Sequence, residues 1–353
     1  MRSVGGTGRG LLASPSSTED TSDGRGSMLL PGRILMPGRS QSALDWGSQL
    51  RSSMRIAKLP AVAGAGLVLA AACAPAADPS STVVPTPAAF VGDLAIDGGR
   101  TLHIVCEGPT DTGRPTVVFE NGSGPTMSTW SAQMEDIRAT HRACAYDRAG
   151  IGMSAAAPGP RTTRDQVNDL ATLLEAAGVS GPIVLVAHSL GGWNAIVYTA
   201  DHPEQVVGAV LIDSSLPGLE ARWLEELPPE TPDEPEIIDK ARQEFTSFLT
   251  DPSMNPEETD ISESVEQVLA APGFGDRPTE ILWATGSQLT VWPGFPPELA
   301  ARLNAAVEEL RLEVQALADI PTVSRVAAGH AIHEEQPDVV TAAIRRVLDQ
   351  LEP

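Results

Sequence analysis

Ser189 sits among small residues in Ala187-His188-Ser189-Leu190-Gly191-Gly192, directly after the apolar run Ile183-Val184-Leu185-Val186. Those β-branched and leucine side chains predict a strand buried on both faces. Trp193 to Ala200 predicts a helix immediately afterwards. A strand that turns sharply into a helix through such a corner forces the serine into a strained conformation. It also exposes the serine Oγ and sets the helix N-terminus beneath it. That is the placement a nucleophile needs, with Ala187 standing where glycine is usual. Serine is a weak nucleophile near neutral pH, so a base must accompany it. The chain has six histidines. His188 lies in the corner itself and is expected to point away from Ser189. His103, His141 and His202 fall on strands or a helix end, where surface or capping roles are expected. His330 follows a Gly329 turn, and His333 lies in what reads as the continuing loop. A metal-binding reading of His330 to Glu335 lacks the HExxH order and a third ligand, so no metal is expected.

The elements that must position these groups alternate from Phe90 onward. Short strands at about Val91–Ile96 and Leu102–Glu107 flank the turn Asp97-Gly98-Gly99-Arg100, a hairpin signal. Thr116–Glu120 reads as a buried strand entering Asn121-Gly122-Ser123-Gly124. A helix over about Ser128–Ala139, a strand at Ala143–Tyr146 and a glycine-rich loop from Asp147 to Ser154 follow. Asp147 and Arg148 are expected to form an ion pair that holds this loop. Thr163–Ala177 places Val167, Leu170, Leu173 and Leu174 at helical spacing. After the serine corner and its helix comes the strand Val206–Ile212. Residues 215 to 279 break the rhythm, being proline-rich and acidic with helical pieces at Ile237–Thr250 and Ile261–Leu269, and read as a cap inserted over the site. Strand Glu280–Ala284, helix Pro297–Leu317, strand Thr322–Ala327 and helix Pro337–Leu351 complete the chain. The alternation predicts an α/β fold with a mostly parallel central sheet covered by helices on both faces.

The chain has 353 residues and a formal net charge of -22, which excludes nucleic acid and anionic membrane surfaces as partners. Residues 1–53 are rich in Gly, Ser and Arg without periodicity and read as a disordered or untranslated extension, with Met54 as the expected start. Met54 to Lys58 is basic, Leu59 to Ala72 apolar or small, and Ala70-Ala71-Ala72-Cys73 closes the segment. Residues 54–73 therefore read as a secretory signal. The ending resembles a bacterial lipoprotein box, which implies acylation of Cys73 and a lipid anchor. A plain signal peptide is the competing reading, and the run falls short of the ~20 residues of a membrane span. Residues 74–89 fit a flexible linker to a domain spanning 90–353. The expected location is extracytoplasmic, as a cell-envelope lipoprotein or a secreted protein, with membrane contact only through that anchor. Nothing in the sequence sets an oligomeric state.

Four motifs occur in order: Glu120-Asn121-Gly122-Ser123-Gly124, Tyr146 to Ser154, Ala187 to Gly192, and Ala328-Gly329-His330. Together they resemble the α/β-hydrolase superfamily in its subset with an inserted helical cap, from about Phe90 to the C-terminus. The resemblance implies His330 as the base. The acid of that family usually follows the strand after the cap, yet Thr285 to Pro297 holds no Asp or Glu. Glu298 comes next but suits a helix first turn. Asp213 ends Val210-Leu211-Ile212-Asp213, where some relatives carry the acid, and gives the order Ser, Asp, His. The resemblance further implies that backbone N–H groups of Ser123 and Leu190 bind an oxyanion. A phosphate-loop reading of Gly122-Ser123-Gly124 fails because no G-x-x-x-x-G-K follows. Relatives with an aspartate nucleophile, the dehalogenases and epoxide hydrolases, are disfavoured by Ser189. On this fold the strands carrying Cys106 and Cys144 are neighbours, and both a disulfide and two buried thiols remain open. The expected function is a cofactor-free serine hydrolase acting on a small-molecule ester or related acyl compound. Alternatives are an aminopeptidase or amidase of the proline iminopeptidase type, and a non-catalytic binding protein on the same fold.

Overall fold

A computed structural model describes residues 89–110, 112–287 and 293–352. The extension, the signal with Cys73 and nearly all of the linker lie outside the described residues. Among the described residues, eight strands form one sheet: β1 (Phe90–Ala95), β2 (Thr101–Glu107), β3 (Thr116–Glu120), β4 (Ala143–Tyr146), β5 (Ile183–His188), β6 (Val206–Ile212), β7 (Thr279–Ala284) and β8 (Thr322–Val326). Their spatial order is β1-β2-β4-β3-β5-β6-β7-β8. Only the β1–β2 and β2–β4 pairs are antiparallel, and the remaining pairs are parallel.

The helices are α1 (Ser131–Ile137), α2 (Thr163–Ala176), α3 (Gly191–Asp201), α4 (Leu219–Glu226), α5 (Glu236–Thr250), α6 (Ile261–Leu269), α7 (Pro297–Gln315), α8 (Ile332–Glu335) and α9 (Pro337–Leu351). Successive residues of the central strands serve opposite faces of the sheet. Ile183, Leu185 and Ala187 of β5 pack with Val167, Leu170, Ile196, Leu303 and Val307 from α2, α3 and α7. Val184 and Val186 pack with Met134, Ile137, Val340, Ile344 and Val347 from α1 and α9. Every residue of β5 is buried, as a strand covered on both faces requires. Burial of each Ile, Val or Leu side chain of this strand contributes about 1.5–3 kcal/mol.

Cys106 and Cys144 face each other across the antiparallel β2–β4 pair and form a disulfide with a Cα–Cα distance of 4.1 Å. Between β6 and β7 the chain leaves the sheet and builds the cap from α4, α5 and α6. Helix α4 was not expected, because its apolar stripe is only Leu219 and Trp223, too short to show periodicity in an acidic stretch. The helix expected over 128–139 begins as a 3-10 turn at Met127–Trp130 and ends at Ile137.

Candidate active site

Parallel strands β3, β5, β6 and β8 all point their carboxyl ends to the same edge of the sheet, where open α/β sheets bind ligands. Ser189 follows β5 with φ of 52°, a region a non-glycine residue occupies at about 1–3 kcal/mol. Three backbone bonds hold it there. Its N–H donates to Ile212 O (3.1 Å), and its carbonyl accepts from Gly192 N (2.9 Å) and Ser215 N (3.0 Å). The two glycines that follow are sterically required. A Cβ on Gly191 would run into the carbonyls of Glu120 and Asn121, and one on Gly192 would overlap Ser214 Oγ. Their absence lets α3 seat its first turn directly beneath the serine.

Asp213 leaves β6 in the left-handed region too, with φ of 38°. Its side chain is 1% exposed, and Oδ2 lies 2.7 Å from His330 Nδ1. Oδ1 accepts from Ala284 N (3.1 Å) and lies 3.7 Å from Arg311 Nη2. With the carboxylate at Nδ1, the imidazole keeps its proton there and turns a bare Nε2 outward. Gly329 N donates to Glu335 Oε2 at 2.8 Å, which fixes the turn that presents His330. The imidazole is 45% exposed and lines one cavity with Ser189 and Asp213. Ser189 Oγ itself lies 3.4 Å from Ser215 Oγ, and no hydrogen bond joins it to His330 among the described residues. Such bonds commonly tighten only when substrate binds. The rejected candidate Glu298 is exposed in the first turn of α7.

The loop after β3 backs onto the serine, since a Cβ on Gly122 would crowd His188 Nδ1 and Ser189 Cβ. Among the described residues, neither Ser123 N–H nor Leu190 N–H has a protein acceptor. The Ser123 hydroxyl is buried and likewise without a partner. The expected Asp147–Arg148 ion pair is not formed. Asp147 instead accepts from Met127 N (2.8 Å) and Met153 N (3.1 Å), which helps hold the glycine-rich loop without Arg148. Arg148 turns inward to Glu120 and Glu257, both at 2.7 Å. It also donates to the carbonyls of Asn121 (2.6 Å) and Gly122 (2.5 Å). Glu257, from the cap, accepts from Gly124 N at 2.9 Å. Burial opposes charge on Arg148, but the flanking carboxylates outweigh it and raise its pKa. Burial likewise opposes charge on Glu257, and the guanidinium outweighs it and lowers that pKa. A buried charged knot thus fixes the loop that carries Ser123.

His188 does not simply point away. Its ring lies 4.5 Å from His330 and 4.4 Å from His333, and Nε2 donates to His330 O at 3.0 Å. His103 and His141 are buried, at 7% and 5% exposure, which corrects the surface role expected for them. His103 Nδ1 contacts Asp93 Oδ1 at 2.6 Å. His202 does close α3, as its C-cap residue. Burial, then the neighbouring imidazoles, push the His188 pKa well below its ordinary value. Burial, then the His330 imidazole, lowers His333 from 6.5 to about 4. Both rings are therefore neutral near pH 7. The contribution of neutral His333 to stability is present above about 6.5 and lost as pH falls toward about 4. For His333 alone this drop corresponds to about 3 kcal/mol. Thermal unfolding from pH 7 to 4 should accordingly destabilise the native protein more steeply than His333→Phe, whereas equal slopes would contradict the assignment.

The cavity over Ser189 has a volume of about 120 Å³, smaller than the ~300–1,000 Å³ of drug-sized sites. Its floor includes Leu190 and Trp193, whose Nε1 donates to Ser215 O at 3.0 Å. Leu216, Leu219, Glu220 and Phe248 close it from the cap. Glu220 is partly exposed and lines this cavity. Burial raises its pKa to about 7, against a smaller opposing pull from its own first-turn N–H. Sequence reasoning did not single out Glu220, Glu257 or Ser215.

A serine on a strained strand–helix corner, beside a carboxylate-bound imidazole on a mostly parallel sheet, defines the α/β class of hydrolase scaffold. The pattern described as the alpha/beta hydrolase family matches residues 117–343, and the chain belongs to that family. Uncharacterized protein YqjL of Bacillus subtilis is 39% identical over 101 residues, covering 29% of this chain and 40% of that protein. A protein named AB hydrolase superfamily protein of Gibberella zeae is 30% identical over 122 residues, covering 33% and 38%. The matched segments thus span less than half of either relative. Among solved structures, a haloalkane dehalogenase DbeA loop variant from Bradyrhizobium elkanii superposes with a TM-score of 0.54 at 17% identity, covering 74% of this chain and 97% of that one. Cfl2 from Burkholderia cenocepacia gives 0.51 at 21% identity, covering 73% and 95%. At such identities the likeness is one of fold.

Proposed function

We propose that this chain is a serine hydrolase that cleaves a carboxylic ester through an acyl-enzyme. The observation that carries the reading is the 2.7 Å contact of His330 Nδ1 with Asp213 Oδ2, beside Ser189 in one small cavity. Ser189 Oγ attacks the ester carbonyl while His330 Nε2 takes the hydroxyl proton, and buried Asp213 stabilises the imidazolium. The N–H groups of Ser123 and Leu190 receive the developing oxyanion, each worth about 10²- to 10³-fold in rate. His330 returns the proton to the departing alcohol, and a water it then deprotonates releases the acid. This route uses no cofactor. The Cys106–Cys144 disulfide supports an extracytoplasmic location, where such bonds persist, and fits a secretory reading of residues 54–73.

One observation favours a second reading, amide or aminopeptide cleavage. Glu220 brings a carboxyl into the cavity, where a free amine could pair with it. Parallel assays with short-chain p-nitrophenyl esters and aminoacyl p-nitroanilides separate the two. Ester turnover without anilide turnover is expected, and the reverse pattern would replace the ester reading with the second.

A further inference from the structure

Among the described residues lining the catalytic cavity, Glu220 is the one charged side chain besides Asp213 and His330. Glu220 enters from the first turn of α4, which follows Gly218 in the left-handed conformation at φ of 79°. Glu220 thereby lines the same cavity as Ser189. The neighbouring acids are otherwise engaged. Glu225 pairs with Arg222 at 3.7 Å and Glu226 with Arg302 at 3.1 Å. Arg222 also reaches Glu309 at 2.7 Å, so the nearest guanidinium in sequence is turned to the outside. Among the described residues no cation pairs with Glu220. Leu216, Leu219 and Phe248 line the same cavity, and burial raises the proton affinity of the Glu220 carboxyl. A buried carboxyl without a counter-charge is costly unless something arrives to pair with it.

We propose that Glu220 is the specificity-determining residue of this site and selects substrates that carry a fixed positive charge on the small group lodged against the cap. The inference rests on the ester-hydrolase reading above. A cation in the cavity meets the carboxylate where low polarity strengthens the attraction, and an uncharged isostere must share the cavity with an unpaired carboxyl. Phe248 adds an aromatic ring to the same wall, suited to a quaternary ammonium.

The test compares kcat/KM for choline acetate with its carbon isostere 3,3-dimethylbutyl acetate, and for a betaine ester with its carbon isostere. The charge then sits on either side of the scissile bond and does not titrate. At about pH 8, where Glu220 is mostly ionised, one charged ester should exceed its isostere at least tenfold. Glu220→Gln and Glu220→Leu should each lower that ratio at least tenfold. Both substitutions remove a desolvated charge and should not lower the melting temperature at that pH. Turnover of the isosteres without a charge preference, or a preference that survives both substitutions, overturns this inference and leaves the ester reading intact. Failure to turn over any of the four esters, or the p-nitrophenyl esters, overturns the ester reading and this inference with it.

Discussion

Replacing Ser189 with alanine should lower kcat/KM for an ester substrate by about 10⁶-fold, to the level supplied by binding and the oxyanion donors alone. The effect is large because no neighbouring group can take over. Ser215 Oγ lies 3.4 Å away, but Ser215 follows β6 rather than sitting on the strained corner. The neighbouring Leu190 N–H is placed by the start of α3, so only a nucleophile at 189 is set to deliver a tetrahedral oxyanion to it. Alanine keeps the corner, Gly191 and Gly192, and the backbone bonds at 189, so the fold and substrate binding should persist. Stopped assays with the purified variant check this. Activity within a hundredfold of native would place the nucleophile elsewhere.

The second large effect is expected at Asp213. Asparagine in its place should reduce kcat by about 10⁴-fold. Its amide can still reach His330 Nδ1, but as a donor it forces the ring proton onto Nε2, where Ser189 needs an acceptor. The substitution also strips a negative charge from beside Arg311, whose guanidinium is 3% exposed and would then rely on Glu308 at 2.7 Å. A loss of melting temperature should therefore accompany the loss of activity. Near-native activity in Asp213→Asn would assign the acid to another residue, although exposed Glu298 at the start of α7 is not placed to serve.

The parts legible in the sequence share one physical trait, a strong local signal. Strand β6 (Val206–Ile212) and helices α6 (Ile261–Leu269) and α9 (Pro337–Leu351) occupy the expected residues, because their apolar runs or stripes are uninterrupted. The serine corner was legible because its small residues are demanded by contacts within the corner and with the adjacent loop. Asp213 came from the family resemblance, as the place where some relatives carry the acid, since its tie to His330 spans 117 residues. What stayed hidden was tertiary. The Arg148–Glu257 pair joins groups 109 residues apart, and a neighbouring aspartate at 147 offered a plausible but wrong partner. The placement of His188 did carry a signal. It ends β5 in step with Val184 and Val186, which face α9 and α1, so strand alternation puts its ring on that face, against His330 and His333. Glu220 had no such signal, because one acid among many in the cap looks like solvated surface until the cavity is seen.

Covalent labelling by a fluorophosphonate, read by peptide mass spectrometry, tests most directly whether Ser189 is an activated nucleophile. The probe should add once per chain, on the peptide containing Ser189. Ser189→Ala should abolish the adduct, and Asp213→Asn should slow its formation. A folded protein that turns over esters yet stays unlabelled at Ser189, or carries the adduct on another serine, would contradict the account.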